Sequence, residues 1–327
     1  MAERFETPPD YPVRLHIQSI SYCNAHCLFC AYPEVAGRVS HGIMEDAVYT
    51  KIIDEAAQYH PKRISLLLMN EPLLDRKLAE RVLYAKEKLG RETEVTITSN
   101  GSLLTPKIID RLIGSGLDRI KISIQGITRD TYERVMGLNY ERTFKGINLL
   151  VDTLKQRKIS RPKVVLSMVT VGHNEDEIKK YKRYWRRKGI KATTVAFENK
   201  GGNIKEDIEL HPFGLQAMER CYRFNRCAYI LYNGDVIPCC ADWARTVVLG
   251  NVKEKSLRDI WHGEKLNAIR DNFRAGNHAL LPGICRSCKV TRLRRRSHRS
   301  LAGIYQKIAS YFQDQRRTVS GDHHTPD

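Results

Sequence analysis

No stretch of this 327-residue chain approaches the ~20 consecutive apolar residues of a membrane-crossing helix, so no helical membrane span is expected. The first residues, MAERFETPPDYP, lack the charged-then-apolar order of a secretory signal, and a cytoplasmic location is expected. Disulfides are scarce in that reducing compartment. The nine cysteines, an odd number gathered at 23–30 and 221–288, therefore read as metal ligands or catalytic thiols. Acidic residues are also short: 37 Asp and Glu stand against 55 Lys and Arg, a formal charge of +18. Such an excess favours anionic partners: a nucleotide-linked substrate, nucleic acid, an acidic peptide or an electron-donor protein. Much of it is local, in Lys179–Arg187 and Arg292–Arg299, where a solvated helix face and a basic tail are the plain alternative.

From residue 14 to about 200, short β-branched runs alternate with longer amphipathic stretches, the rhythm of parallel βα units. Strands are expected at Arg14–Ile20, Ile64–Asn70, Glu94–Asn100, Arg119–Gln125, Val164–Thr170 and Ala192–Phe197. Helices are expected near Glu45–Tyr59, Asp75–Leu89, Pro106–Ile113, Glu141–Leu154 and Glu175–Lys188. Pro106 stands early in its helix, and Gly90 and Gly189 stand at helix ends, where start and stop chemistry places them. A closed eight-unit barrel takes about 250 residues. Six units in under 200 give an α/β fold, a partial (βα)6 barrel of TIM type.

Chemistry in such folds gathers at the C-terminal ends of strands. Directly after the first strand comes Cys23-Asn24-Ala25-His26-Cys27-Leu28-Phe29-Cys30, three cysteines in a C-x3-C-x2-C run. Three thiolates leave one iron of a cubane iron–sulfur cluster open to an outside chelator. With His26 as a fourth ligand, the same run reads as structural zinc. Asn70-Glu71-Pro72 follows the second strand, Ser99-Asn100-Gly101 the third and Ser123-Ile124-Gln125-Gly126 the fourth. All fall on one rim.

The cysteine run, with Phe29 before its last member, resembles the signature of the radical S-adenosylmethionine (SAM) enzymes. That resemblance implies a 4Fe–4S cluster on Cys23, Cys27 and Cys30 whose open iron is chelated by SAM. Reductive cleavage of SAM then gives a deoxyadenosyl radical that abstracts hydrogen from substrate. Met69-Asn70-Glu71-Pro72 is similar to the family's Gly-Gly-Glu-Pro segment, implying that Glu71 meets the SAM amino group; Met69 and Asn70 replace the glycines. Ser99 and Asn100 are implied at the ribose, and Ser123 and Gln125 at ribose or substrate. Asn-Gly is in the first place a turn signal. Thr170 and His173 follow the fifth strand and Glu198 and Asn199 the sixth; they either face substrate or are solvated loop residues, the commoner case. An electron donor such as flavodoxin or ferredoxin is implied as partner.

Beyond about residue 205 the βα rhythm stops. Cys221-x12-Gly234-x4-Cys239 followed by Cys285-x2-Cys288 resembles the SPASM/twitch extension of radical SAM enzymes. Tyr232-Asn233-Gly234-Asp235 reads as a hairpin turn. The resemblance implies a second 4Fe–4S cluster on Cys221, Cys239, Cys285 and Cys288, saturated and fit for electron relay; a zinc ribbon is the rival. No cysteine follows Cys288, so one auxiliary cluster is expected. Cys227 and Cys240 are left over. Cys227 is either a ligand in place of Cys221, a catalytic thiol that donates hydrogen to a substrate radical, or a small buried hydrophobe; Cys240 reads as the last of these. The expected organisation is a leader at 1–13, the barrel at 14–204, the SPASM/twitch iron–sulfur domain at 205–290 and a basic tail at 291–327. Leu301, Ile304, Tyr305, Ile308 and Phe312 in that tail have the spacing of one amphipathic helix.

The reading is a radical SAM oxidoreductase or epimerase, holding SAM and two 4Fe–4S clusters. Its expected substrate is a small polar metabolite of the sugar or aminocyclitol type. The alternatives are a peptide-modifying maturase and, more remotely, a non-catalytic zinc protein that binds RNA through its arginine run. Molybdopterin-precursor cyclases share the length and basic character but end in Gly-Gly, where this chain ends Thr325-Pro326-Asp327.

Overall fold

The computed structural model describes residues 7–204, 216–217 and 221–290. The barrel–SPASM boundary near 205, the arginine run and the helix expected from Leu301 to Phe312 lie outside these.

Six parallel strands form the first part: β1 Arg14–Ile17, β2 Arg63–Ser65, β3 Glu94–Ser99, β4 Arg119–Ser123, β5 Lys163–Val169 and β6 Lys191–Val195. Each pairs with the next in chain order, as right-handed βα crossovers produce. Every expected strand is present, and most stop two to five residues short of the expected C-terminal end, because there the chain leaves the ladder to build the rim.

The helices are α1 Tyr32–Val35, α2 Asp46–Tyr59, α3 Leu78–Leu89, α4 Pro106–Gly114, α5 Arg129–Met136, α6 Tyr140–Gln156 and α7 Ile178–Arg187. Their ends follow local chemistry. Thr105 accepts from the Ile108 N–H (3.3 Å) ahead of Pro106, and Asn139 accepts from the Arg142 N–H (2.8 Å). Successive side chains of a strand point to opposite faces. Leu15, Ile17, Ile64, Val95, Ile97, Ile120, Ile122, Leu166 and Met168 are buried beneath the helices, in one core with Ile52, Ile53, Leu112 and Ile147. The other face lines a polar lumen with Arg14, His16, Ser65, Thr96, Thr98, Lys121, Ser123, Ser167 and Thr193, as the strand registers require.

The C-terminal part adds β7 Gln216–Ala217, β8 Cys227–Ile230, β9 Asp235–Ile237, β10 Gly250–Asn251, α8 Leu257–Trp261, α9 Glu264–Ala275, α10 Gly283–Arg286 and β11 Lys289–Val290. Strand β8 lies parallel to β1 and carries the antiparallel β9 and β10, so one nine-stranded sheet runs β10-β9-β8-β1-β2-β3-β4-β5-β6. The expected hairpin turn is present: Gly234 joins β8 to β9 at φ +92°, a conformation open to glycine. Buried Arg270 fastens this part, donating to Phe224 O (3.0 Å) and Trp261 O (2.7 Å) while stacking over the Trp261 ring at 4.2 Å. No described helix is long and apolar enough to cross a membrane.

Candidate active site

The Cys23–Cys30 loop leaves β1 and is pinned from two sides. The N–H groups of His26 and Leu28 donate to the carbonyls of Met136 (3.2 Å) and Val135 (3.0 Å) at the end of α5. Asn24 accepts from Asn100 Nδ2 (2.9 Å) and donates to Ser102 Oγ (3.0 Å). Phe29 is buried with Met69, Val135, Phe197 and Tyr229, and Cys30 packs against that cluster. Burial pushes the Cys23 thiol up to about 12, with Glu71 and Cys30 adding to it, and raises Cys27 and Cys30 too. A cationic iron centre reverses that preference, since a coordinating thiol is deprotonated outright. His26, the fourth ligand of the zinc alternative, is exposed. Among the described residues no three Cys, His, Asp or Glu side chains converge closely enough for a single metal ion. A cubane presents a different iron to each thiolate and so asks for a wider spacing.

Glu71 ends up 1% exposed at the tip of β2. Its carboxylate accepts from Ser99 Oγ (2.7 Å), Leu73 N (3.0 Å) and Asn100 N (2.6 Å). Burial pushes its pKa up to about 7 against the pull of those three hydrogen bonds. Ser99, Asn100 and Glu71 thus form one buried frame that joins the ends of β2 and β3 to the cysteine loop. Asn70, where the family pattern has glycine, accepts from Leu68 N (2.8 Å), while its buried Nδ2 has no partner among the described residues. That orphaned donor suits an incoming carboxylate. Gln125 accepts from Val169 N (2.7 Å) and Ser123 opens on the lumen from β4. Buried Asn174 ties Gln125 O (3.1 Å) to Val169 O (2.9 Å), a positioning role with no sequence signal beyond its place after a strand. The side chain of His173 is not among those described.

In the second set, Cys221, Cys239, Cys285 and Cys288 line one cavity of about 310 Å³, counting space open to solvent, with Arg223, Phe224 and Phe273 among its other walls. Burial raises all four thiols, Cys285 to about 12 and Cys288 to about 11; for Cys239 the Cys240 thiol weighs first. Four soft sulfur donors lining one cavity fit an iron–sulfur cubane. Arg223 Nη1 and Ala241 N each donate to Cys239 Sγ at 3.4 Å. Buried Asp242 fixes the following turn by accepting from Thr246 N, Thr246 Oγ1 and Val247 N, each at 2.9 Å.

Cys227 and Cys240 remain. Cys227 opens β8 opposite Arg14, one layer below the stacked pair His16 and Tyr229. It therefore sits about 13 Å along the strands from the layer of Gln18 at the rim, at ~3.3 Å per residue. It lines a separate apolar cavity of about 240 Å³ with Val236, Leu257 and Trp261. Its side chain also belongs to the buried cluster of Phe29, Met69 and Tyr229. Cys240, read from the sequence as a small buried hydrophobe, packs against the cluster that contains Cys227 and feels the charges of Arg223, Lys200 and Glu198, while Cys227 also feels Cys240 and Arg223.

The sequence matches the model of the radical SAM superfamily over residues 17–184 and that of the SPASM iron–sulfur cluster-binding domain over residues 221–289. This chain belongs to the radical SAM superfamily. Its cofactors are accordingly SAM and 4Fe–4S clusters. It is 23% identical over 279 residues to the S-adenosyl-L-methionine-dependent 2-deoxy-scyllo-inosamine dehydrogenase of Niallia circulans, covering 84% of this chain and 91% of that one. It is 30% identical over 216 residues to a probable GTP 3',8-cyclase of Saccharolobus solfataricus, spanning 66% of this chain and only 61% of that relative. Among solved structures, BtrN in complex with AdoMet and 2-DOIA superposes with a TM-score of 0.61 at 21% identity, covering 84% of this chain and 92% of that chain. SuiB of Streptococcus suis bound to precursor peptide SuiA superposes at 0.65 and 18% identity, covering 80% and 67%. At these identities the superpositions speak for the fold alone.

Proposed function

We propose that this radical SAM enzyme dehydrogenates a small polar metabolite of the sugar or aminocyclitol type. One observation carries the reading: four thiols line a single cavity next to the lumen, a closed ligand set that leaves no iron for substrate and suits electron transfer. When bound, SAM and iron supply a deoxyadenosyl radical that takes a hydrogen atom from carbon, and an acceptor for the electron that carbon then releases. Cys23, Cys27 and Cys30 hold the SAM-binding cluster. The frame of Glu71, Ser99 and Asn100 shapes the SAM pocket, with Asn70, Ser123 and Gln125 turned to ligand. Cys221, Cys239, Cys285 and Cys288 hold the second cluster, and the N–H donors of Arg223 and Ala241 on Cys239 stabilise its reduced form. The dehydrogenase relative, aligned over 84% of this chain and 91% of its own, supports this chemistry. A thiol near the substrate could return hydrogen in an epimerisation, and the start of β8, where Cys227 stands opposite Arg14, favours the dehydrogenase instead. The electron source is an acidic flavodoxin or ferredoxin of the cytoplasm.

The test is an anaerobic incubation of reconstituted enzyme with SAM, reductant and a panel of aminocyclitols and sugars. A carbonyl product formed one-to-one with 5'-deoxyadenosine is expected. Recovery of inverted substrate carrying solvent deuterium would mean an epimerase, and modification of a peptide alone would mean a maturase.

A further inference from the structure

Two charged side chains tie together the three segments that carry the second thiol set. Glu198 lies just past the end of β6, where its backbone bridges to Val290. The next residue fastens it there. Asn199 N donates to Lys289 O (3.0 Å), its Nδ2 donates to Ser287 O (2.8 Å), and its Oδ1 accepts from Lys289 N (2.8 Å). Glu198 is thus held by the residues on either side of Cys288. Arg223 stands two residues after Cys221, in a short turn whose Phe224 carbonyl accepts from Arg270 Nε and Nη2, both at 3.0 Å. The two side chains meet as a bidentate pair, Nη1 to Oε1 and Nη2 to Oε2, both at 2.8 Å. Arg223 Nη1 also donates to Cys239 Sγ (3.4 Å), and Arg223 lines the cavity that the four thiols share.

A bidentate pair alone accounts for a tie between segments. It does not account for the third contact, which sets a cationic donor on a sulfur. The side chains of Glu198 and Arg223 are only 12% and 17% exposed, so water screens them weakly. Burial pushes the Glu198 carboxyl up, and the hydrogen bonds of Arg223 with the charge of Lys200 outweigh it, holding the pKa at about 2. The pair is therefore ionised at neutral pH. Lys200 Nζ, 3.7 Å from Glu198 Oε2, is a second cation on the same carboxylate. Ala241 N, the other donor on Cys239 Sγ at 3.4 Å, brings no net charge. Net charge and hydrogen bonds to the sulfurs are among the terms that set the potential of an iron–sulfur cluster. A cubane on four thiolates is anionic and gains a further negative charge on reduction. A guanidinium on Cys239 favours the reduced state, and the Glu198 carboxylate beside it offsets part of that effect.

We propose that Glu198 and Arg223 together set the reduction potential of the second cluster. Arg223 acts on Cys239 directly; Glu198 is a positioning residue that holds the guanidinium there and offsets part of its charge. This rests on the reading of the second thiol set as an electron-accepting cluster and goes beyond it: a barrel residue at the end of β6 adjusts how readily that cluster takes the electron. The two charges act with opposite sign. Removing the guanidinium makes reduction harder, and removing the carboxylate makes it easier. Loss of a purely structural tie carries no such sign.

The experiment is a redox titration of the reconstituted enzyme followed by electron paramagnetic resonance. SAM alters the signal of the cluster it chelates, so the signal that SAM leaves unchanged reports the second set. Arg223→Met is expected to shift its reduction equilibrium at least tenfold toward the oxidised form, about 59 mV lower for one electron. Glu198→Gln, whose amide still offers the guanidinium an oxygen, should shift it the opposite way. Arg223→Lys keeps the charge without the fork and should shift it less than Arg223→Met. Iron content checks that each variant holds both clusters. The double variant Glu198→Gln/Arg223→Met removes both charges of the pair and decides the matter if a single variant loses iron. Its potential should lie below that of the wild type, because the sulfur has lost its donor, and above that of Arg223→Met. If both single variants shift the same way, or the double variant matches the wild type, the pair is a structural tie and the proposal falls while the cluster reading stands. If the wild type gives no signal independent of SAM, both fall.

Discussion

Glu71 gathers Ser99 Oγ, Leu73 N and Asn100 N onto one carboxylate at 1% exposure, so its removal leaves three donors without an acceptor. Each unsatisfied buried group costs about 1–3 kcal/mol. Glu71→Ala is therefore expected to destabilise the protein by roughly 3 kcal/mol or more and to weaken SAM binding at least tenfold, with both iron sites still filled. Equilibrium dialysis checks the affinity; unchanged SAM binding would remove the frame from the SAM pocket. The same carboxyl predicts a pH dependence. Its folded pKa, about 7, lies above its ordinary 4.5, so its protonated form favours the fold below 4.5 and that contribution is lost as pH rises through 7. Glu71→Gln cannot titrate. The stability of the wild type relative to this variant should fall by roughly 3 kcal/mol between pH 4.5 and 8, read from denaturant midpoints. A flat difference would mean that the hydrogen bonds outweigh burial.

Secondary structure was legible where it is local. The six strands, Pro106 at its helix start and the Asn233-Gly234 turn follow from periodicity and local chemistry within a few residues. Helix α5, Arg129–Met136, was not expected, since eight residues with four charges show little apolar stripe. Nor was β8 beside β1 legible: the pairing of Arg14 with Cys227 joins positions far apart in sequence, and no local pattern names a partner. That pairing is why Cys227 stands at the level of Arg14 in the strands. The link from β6 to the second cysteine set is likewise long-range. Glu198→Gln leaves Arg223 buried and unpaired, and breaking a buried pair in this way costs about 3–5 kcal/mol. Urea unfolding should show a midpoint lowered to match, and a shift below 1 kcal/mol would make the pair a solvated one.

For the whole molecule, the two groups of cysteines, at 23–30 and 221–288, were legible in the sequence, and so was the place of the first directly after a strand. The side chains that serve those thiols were not. Asn24, Asn174 and Arg223 look like ordinary loop residues until folding brings them to the site, and Ser99 and Asn100 read as direct ligand contacts yet face inward to Glu71 and Asn24. The account stands on two separate iron–sulfur sites in one chain, and metal analysis addresses it most directly. Protein reconstituted anaerobically should carry about eight irons per chain and negligible zinc. Replacing Cys23, Cys27 and Cys30 by Ala should leave about four irons and no SAM cleavage. Replacing Cys221, Cys239, Cys285 and Cys288 by Ala should also leave about four, with SAM still cleaved but no substrate oxidised. Stoichiometric zinc in protein made with ample iron, or either set of replacements leaving the iron count unchanged, would contradict it.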